Sequence, residues 1–414
     1  MQFPVIDYSE HPAYSGLVTA RIYDEDLIND AVRRVDALYS EFTGIASPTM
    51  RQGEEALTGI SAMLEEIKSH MRVAKAPLVA FEWVAQMMEY CMTQWRYEFV
   101  RRVFSARQFR APELSASAQE QLESMRSKGM YAVDLNDADY EIIRDQSLKL
   151  VPMLRGQLER QPLARAVHTV EARSALGHAI ERAMREAGVL DVLSELKRNK
   201  MGIMGTGLEY SRTGQAWHTG LYSDLGLTDS PFKYLHVDEA DHLPKAMIYA
   251  TTVNEEHGPT HVVPESNLWD RSEFLFTMHK ALDRITIDRY GKHYLGSRYR
   301  LIPRDPDLRK IFMSLPKAFQ GSSHMGDDIL PGSQWANQII SREIKFVPEN
   351  RQKSMVFNGC RVLHRGSVVQ SGERLALQVI FINVNSPKID TQVLGGLWLG
   401  RMKPMLRALY ANFR

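Results

Sequence analysis

The stretch Tyr234-Leu235-His236-Val237-Asp238 constrains the fold of this chain more than any other. Its apolar residues alternate with polar ones, which is typical of a short strand. Side chains two apart on a strand point to the same face, so His236 and Asp238 can grip one ion. A second histidine, His364, follows far along the chain, and Arg374 lies about ten residues beyond it. These residues predict a fold whose short strands return to one site.

Two histidines and one carboxylate form a recognisable ligand set. They can occupy one triangular face of an octahedron and leave three positions open, which suits non-haem iron(II). Zinc sites are normally closed more tightly. A His-x-Asp pair alone is a weak signal, but here it is followed by a predicted strand, turn and strand over residues 252–266 and then by His364 and Arg374.

Three segments, in order, resemble the phytanoyl-CoA dioxygenase-like family of iron(II)- and 2-oxoglutarate-dependent oxygenases. They are His236-Val237-Asp238, the run from Gly258-Pro259 to Val263-Pro264-Glu265-Ser266, and His364-Arg365-Gly366-Ser367 with Arg374. The resemblance covers roughly residues 125–390. The chain departs from the family where Glu265 and Asn267 replace the usual Gly and His, and where one extra residue separates His364 from Gly366. These departures affect the supporting loop more than the ligands.

The resemblance implies three metal ligands that are also the catalytic residues: His236, Asp238 and His364. It implies that Arg374 pairs with the distal carboxylate of 2-oxoglutarate, and Ser367 is a candidate to assist it. Tyr249, predicted to face inward on the next strand, is a further candidate cofactor contact. The implied cofactors are Fe(II), 2-oxoglutarate and O2. The default reaction is hydroxylation of an unactivated C–H bond of a small molecule with release of succinate and CO2, and desaturation and cyclisation stay open.

Three other functions compete with hydroxylation. A halogenase would use His218 and Gly220 with His364, because a small residue in place of the carboxylate leaves room for chloride. A metal-dependent hydrolase would use the ligand-rich segment His236–His242, whose spacing is wrong by one residue and which gives Arg374 no role. The third alternative is a non-catalytic jelly-roll binding protein.

Composition excludes several classes of partner and site. The 414 residues carry 51 basic and 50 acidic side chains, which gives no electrostatic basis for binding nucleic acid or an anionic membrane. Cys91 and Cys360 are the only cysteines, too few for a disulfide framework or a cysteine-based zinc site. No leader or membrane span is recognisable. We therefore expect a cytoplasmic protein with a small-molecule substrate.

Hydrophobic periodicity divides the chain. It is mainly helical from Leu27 to about Lys200, starting with a helix capped near Asp24 that stops at Gly44. Short strands follow Gly202. We expect an α+β protein with a double-stranded β-helix (jelly-roll, cupin-like) core and a mainly helical N-terminal region. The predicted domains are residues 1–120 (helical region), 121–395 (oxygenase domain) and 396–414 (amphipathic, basic segment). The helical region can extend the pocket, form a homo-oligomer surface or buttress the sheet.

A lid-like insertion is predicted at about residues 268–341. Long insertions between strands often act as lids or binding segments. Basic and aromatic side chains alternate in it, and they favour an anionic or carboxylate-bearing substrate, although a solvated charged surface explains any one of them equally well. These side chains are Arg289, Tyr290, Lys292, His293, Tyr294, Arg298, Tyr299, Arg300 and Arg304.

Overall fold

The computed structural model describes residues 2–17, 22–160, 165–213, 235–238, 243–290 and 302–384, without the side chains of 106–108, 287–290, 304 and 327. The chain divides into two compact units. The first contains Met1–Pro4, Gln108–Asp270 and Met325–Asn385. The second contains Val5–Arg107, Arg271–His324 and Ser386–Arg414.

The secondary structure of the described residues is mixed. Its α-helices are α1 (Glu25–Gly44), α2 (Met50–Val73), α3 (Leu78–Gln108), α4 (Ala116–Lys128), α5 (Asp137–Leu148), α6 (Val151–Arg160), α7 (Ala175–Glu186), α8 (Val189–Lys197), α9 (Glu273–Tyr290), α10 (Pro306–Met313) and α11 (Gln334–Ile340). Its strands are β1 (Met130–Asp134), β2 (Ala166–Val170), β3 (Met201–Arg212), β4 (Lys245–Tyr249), β5 (His261–Val262), β6 (Ile344–Lys345), β7 (Lys353–Phe357), β8 (His364–Arg365) and β9 (Glu373–Asn383). No helix in these segments has the length and apolarity to cross a membrane.

The second unit is a helical body. Asp24 caps α1 by accepting a hydrogen bond from the Leu27 amide, and the helix ends at Gly44, as the sequence predicts. Phe42 of α1 stacks on Phe99 of α3, with ring centroids 3.8 Å apart. Two described parts of the predicted insertion, residues 271–290 and 302–324, contribute side chains to this core, among them Phe274 of α9 and Phe312 of α10. The role of the insertion as a lid stays a prediction.

The first unit is built on two antiparallel sheets. Six strands pair in the order β1-β7-β4-β9-β3-β2, and three pair in the order β6-β5-β8. One face of the large sheet, with Leu208, Ile248 and Leu377, packs on helices α4–α8. The other face, with Tyr249 and Met355 among others, packs against apolar side chains of the small sheet and its loops. The prediction of a mixed fold with an antiparallel sheet is confirmed.

Some element bounds differ from the predictions. Apolar periodicity predicts one helix from Ala138 to Leu154, but the structure has two helices there, α5 and α6. Pro152 explains the break, because it cannot donate to the Leu148 carbonyl and its ring would clash with a continuous helix. Between β4 and β5, the predicted strand and tight turn are largely replaced by a 3-10 turn at Glu255–His257, and β5 has only two residues.

Candidate metal centre

The predicted metal ligands come together in the structure. His236 and His364 form an isolated antiparallel bridge, in which each backbone amide donates to the other residue's carbonyl at 3.0 and 2.9 Å. Their rings are 4.3 Å apart between centroids. His236, Asp238 and His364 each offer one ligand atom, and these atoms all lie within 4.8 Å of one another. The backbone bridge between His236 and His364, which lie far apart in the sequence, therefore builds a compact donor set.

The orientation of His364 suits a metal ligand. Its Nδ1 lies 2.9 Å from the Val362 carbonyl oxygen, which can only accept, so Nδ1 carries the proton and Nε2 presents its lone pair. That Nε2 lies 3.6 Å from Asp238 Oδ2, and His236 Nε2 lies 3.8 Å from Asp238 Oδ1. Two ligands that are each about 2.1 Å from one ion can be up to about 4.2 Å apart. Both histidine–carboxylate distances are therefore short enough for the two ligands of each pair to share one metal.

A glycine makes room for the Asp238 carboxylate. The Asp238 amide donates to the Gly359 carbonyl at 2.8 Å. A Cβ placed on Gly359 would lie 2.2 Å from Asp238 Oδ2. That contact is far too short for non-bonded atoms, so only glycine at residue 359 leaves the carboxylate in its place. Sequence reasoning missed Gly359, because its role depends on a loop that approaches Asp238 only in the folded chain.

Lys245, at the start of β4, places a cation beside this carboxylate. Its Nζ lies 2.8 Å from both oxygens of Asp238 and donates to Oδ1. The contact between Nζ and Oδ2 is an ion pair without hydrogen-bond geometry. Burial alone would raise the pKa of Asp238, but Lys245 and the two histidines together lower it well below its usual range. The carboxylate is therefore ionised and ready to bind a cation.

Arg374 is a buried cation, and no described residue gives it a carboxylate partner. Only 4% of it is exposed, and its Nη1 donates to the Gly258 carbonyl. Its Nε has no hydrogen-bond partner in the part of the chain that the structure describes. Among the described residues no carboxylate lies within ion-pair distance of it. Burial lowers the pKa of its guanidinium, although Tyr249 and Glu209 oppose that shift. Buried charges are normally paired, and the role of this guanidinium in binding an anion stays a prediction.

The other two predicted cofactor contacts converge with Arg374 on residues 258–260. Ser367 Oγ donates to the Pro259 carbonyl at 2.8 Å. The Tyr249 hydroxyl donates to Thr260 Oγ1 at 3.0 Å and accepts from the Thr260 amide at 2.8 Å. Both hydroxyls therefore stabilise the backbone of this segment, and their contact with a keto acid stays a prediction.

Ser211 is a second residue that sequence reasoning missed. It lies directly opposite Arg374 in the β3–β9 register, so both side chains point to the same face of the sheet. The Ser211 hydroxyl is buried and has no hydrogen-bond partner among the described residues. The register that places Ser211 opposite Arg374 cannot be predicted from the sequence of either strand alone.

Two residues that depart from the resembled pattern, Glu265 and Arg365, form ion pairs in the structure. Glu265 has a φ of +66°, a left-handed conformation that favours glycine, and it forms an ion pair with Arg342 at 3.0 Å. Arg365, the extra residue after His364, forms a bidentate pair with Glu343 at 2.6 and 2.8 Å. Glu343 also contacts His261 Nδ1 at 3.1 Å. This network ties β8, and so His364, to the loop before β6.

Several predicted residues lie outside the described part of the chain. They are His218 and Gly220 of the halogenase alternative, residues 239–242 of the hydrolase alternative, the basic and aromatic side chains of residues 289–304, and the segment 396–414.

Comparison with known proteins gives matches at the level of structure alone. No protein-family model matches the chain, and no curated protein matches it. One similar solved structure is SnoN, described as a non-heme alpha ketoglutarate dependent epimerase from nogalamycin biosynthesis, with 10% identity, a TM-score of 0.37, and coverage of 65% of this chain and 84% of SnoN.

Two further structures are similar to the same degree. EctD from S. alaskensis, solved with 2-oxoglutarate and 5-hydroxyectoine, has 10% identity, a TM-score of 0.35, and coverage of 66% of this chain and 77% of EctD. SnoK, described as a non-heme alpha ketoglutarate dependent carbocyclase, has 14% identity, a TM-score of 0.35, and coverage of 69% and 91%. TM-scores below 0.5 do not establish a shared fold or reaction. The function is therefore inferred from the residues of the site alone.

Proposed function

We propose that this chain is an Fe(II)- and 2-oxoglutarate-dependent dioxygenase that hydroxylates an unactivated C–H bond of a small molecule and releases succinate and CO2. The observation that carries the proposal is a donor set with a single carboxylate that could hold a metal, His236, Asp238 and His364. It lies in the same unit as a buried arginine, Arg374, that has no anionic partner among the described residues. The donor set fits a metal with open positions, and the buried arginine fits a co-substrate with a carboxylate.

The fold that we propose for this unit is a double-stranded β-helix. Two observations support it: the two sheets are antiparallel throughout their described pairs, and an apolar cluster contains side chains from both, including Met355 of β7 and Val262 of β5. In such a fold short strands from distant parts of the chain bring ligands to one end of an apolar interior. The bridge between His236 and His364 is of this kind.

Each residue of the centre has a specific task in the proposal. His236, Asp238 and His364 hold the iron, which supplies the oxygen-activating chemistry when bound. Arg374 binds and orients the distal carboxylate of 2-oxoglutarate by charge and paired N–H donors. Phe357, whose ring lies edge-on to His364 at 5.0 Å, excludes water from one side of that ligand. The protein thus contributes position and a dry surrounding.

The proposal is tested by turnover of the co-substrate. Purified protein is incubated with Fe(II), ascorbate, O2 and 2-oxoglutarate, and succinate is measured with and without a library of small molecules, anionic ones included. We expect slow succinate formation that requires iron and rises with the correct substrate. Arg374→Met should raise the KM for 2-oxoglutarate at least about tenfold, because it removes the anion site.

Arg185→Met is the matched control, since Arg185 is on the surface of α7 and pairs only with Glu181 among the described residues. It should leave the KM unchanged. A wild-type protein that is folded and iron-loaded, but makes no succinate with any compound and does not bind 2-oxoglutarate, contradicts the proposal. Chlorinated products in the presence of chloride would instead indicate the halogenase alternative.

A further inference from the structure

Lys245 is not one of the three candidate metal ligands, but it forms an ion pair with one of them, Asp238. Its side chain is 13% exposed, and its backbone belongs to β4, which pairs with β7 on one side and β9 on the other. The ammonium lies 2.8 Å from each oxygen of Asp238. A charged group held this firmly beside a metal ligand affects how that ligand binds.

The position of Lys245 restricts the geometry of the carboxylate. Its Nζ lies 2.8 Å from both Oδ1 and Oδ2, so the ammonium competes with any ion that both oxygens would bind for the space beside them, the fork of the carboxylate. Each oxygen also has a histidine near it, with Oδ1 3.8 Å from His236 Nε2 and Oδ2 3.6 Å from His364 Nε2. A metal held by the histidines can then take only one oxygen of Asp238.

Lys245 also changes the charge of the centre. The donor set contains one carboxylate and two histidines. With neutral histidines its charge is −1, and the ammonium cancels it. A divalent ion entering the site therefore meets an anion that is already paired and a cation close by, so its binding is weaker than the three ligands alone would give.

Contacts with Gly359 should keep Asp238 in place when the Lys245 ammonium is removed. The Gly359 backbone closes the side of Asp238 where a Cβ would lie 2.2 Å from Oδ2, and its carbonyl accepts from the Asp238 amide. Asp238 is thus held at its backbone and on one face without help from Lys245. Removing the ammonium leaves the carboxylate near the histidines and opens the fork.

We propose that Lys245 is a positioning residue that limits Asp238 to one coordinating oxygen and weakens the site for divalent cations, so that positions on the metal stay open for co-substrate and oxygen. This inference rests on the proposed function for its purpose, but its content concerns metal binding alone. It predicts that removing the charge tightens metal binding while it alters the coordination.

The test uses Co(II) as the probe, without 2-oxoglutarate or oxygen. Wild type, Lys245→Met and Lys245→Gln are titrated by calorimetry and by visible absorption. Both variants should bind Co(II) about tenfold more tightly or better. Their Co(II) absorption should become weaker and shift, because a second carboxylate oxygen raises the coordination number. Lys345→Met is the control: Lys345 pairs with Glu255 on the surface, and its removal should change neither readout.

The outcomes are distinct. Tighter binding with a changed spectrum in the variants supports the inference. Unchanged or weaker binding with an unchanged spectrum overturns it. Lys245→Gln keeps a hydrogen-bond donor and a polar side chain, so it provides the measurement if Lys245→Met does not fold. A wild-type protein that binds Co(II) but never binds 2-oxoglutarate defeats the proposed function and leaves this inference standing on the two variants.

Discussion

Gly359→Ala is the change that most sharply tests the described site. The new Cβ would lie 2.2 Å from Asp238 Oδ2 and 3.2 Å from a ring carbon of Phe357. Non-bonded heavy atoms pack at about 3.5 Å, so the carboxylate or the backbone has to move by roughly 1 Å. The backbone is held by the hydrogen bond from the Asp238 amide, and the carboxylate is therefore the group that moves.

Two effects of Gly359→Ala follow, one on stability and one on metal binding. Overpacking of this kind costs about 1–3 kcal/mol of unfolding free energy. Metal sites tolerate errors of about 0.2 Å in ligand position, so a displacement of roughly 1 Å should weaken Co(II) or Mn(II) binding by about 100-fold. Calorimetric titration with Mn(II) measures the second effect, and urea unfolding of the metal-free protein measures the first.

Gly156→Ala is the control for this experiment. A Cβ at Gly156 meets nothing within 4 Å, and the residue lies within α6, so alanine should stabilise the protein by up to about 1 kcal/mol without changing metal affinity. If Gly359→Ala binds Mn(II) as tightly as wild type, the close approach of Gly359 to Asp238 is not what positions the ligand, and the reasoning fails.

Three further changes have definite expected outcomes. Asp238→Asn should abolish Mn(II) binding and lower the unfolding free energy by about 3 kcal/mol, because it leaves the largely buried Lys245 ammonium unpaired. The pKa of Asp238 is lowered in the folded protein, so the difference in unfolding free energy from wild type should persist above the ordinary pKa of about 4 and shrink as the pH falls towards the lowered value. Urea unfolding measured at several pH values would show this. Tyr249→Phe should cost about 1–3 kcal/mol in the same assay, since it leaves the Thr260 amide and hydroxyl without their partner, and a change below about 0.5 kcal/mol would contradict that role. Gly258→Ala should destabilise by about 2 kcal/mol or more, because its φ of +72° and a Cβ 2.8 Å from the Ser367 carbonyl oxygen both oppose a side chain, and an unchanged thermal midpoint would refute this.

The sequence predicts those parts of the structure that depend on local patterns or on a known residue set. Helix α1 follows from its apolar periodicity, the Asp24 cap and Gly44. The convergence of His236 and Asp238 with His364 follows from the chemistry that the three residue types share. These predictions need no knowledge of how strands pair, because the signal lies in the residues themselves.

The remaining features depend on approaches that form only in the folded chain. Lys245 is an ordinary strand residue in the sequence, and only the pairing of β4 brings its ammonium to Asp238. Ser211 is buried because of its register opposite Arg374. Ser367 and Tyr249 were predicted as cofactor contacts from the family pattern and strand position, but in the structure their hydroxyls bond to residues 259–260, which no local pattern indicates.

The central claim, that iron and 2-oxoglutarate bind together at this site, is tested most directly by an anaerobic titration. Metal-free protein receives Fe(II) and then 2-oxoglutarate, and visible absorption is followed for the weak charge-transfer band of a keto acid chelated to iron(II). We expect a saturable band in the wild type that His236→Ala abolishes and that Arg374→Met shifts to much higher 2-oxoglutarate concentration. A folded, iron-loaded wild-type protein that gives no band would contradict it.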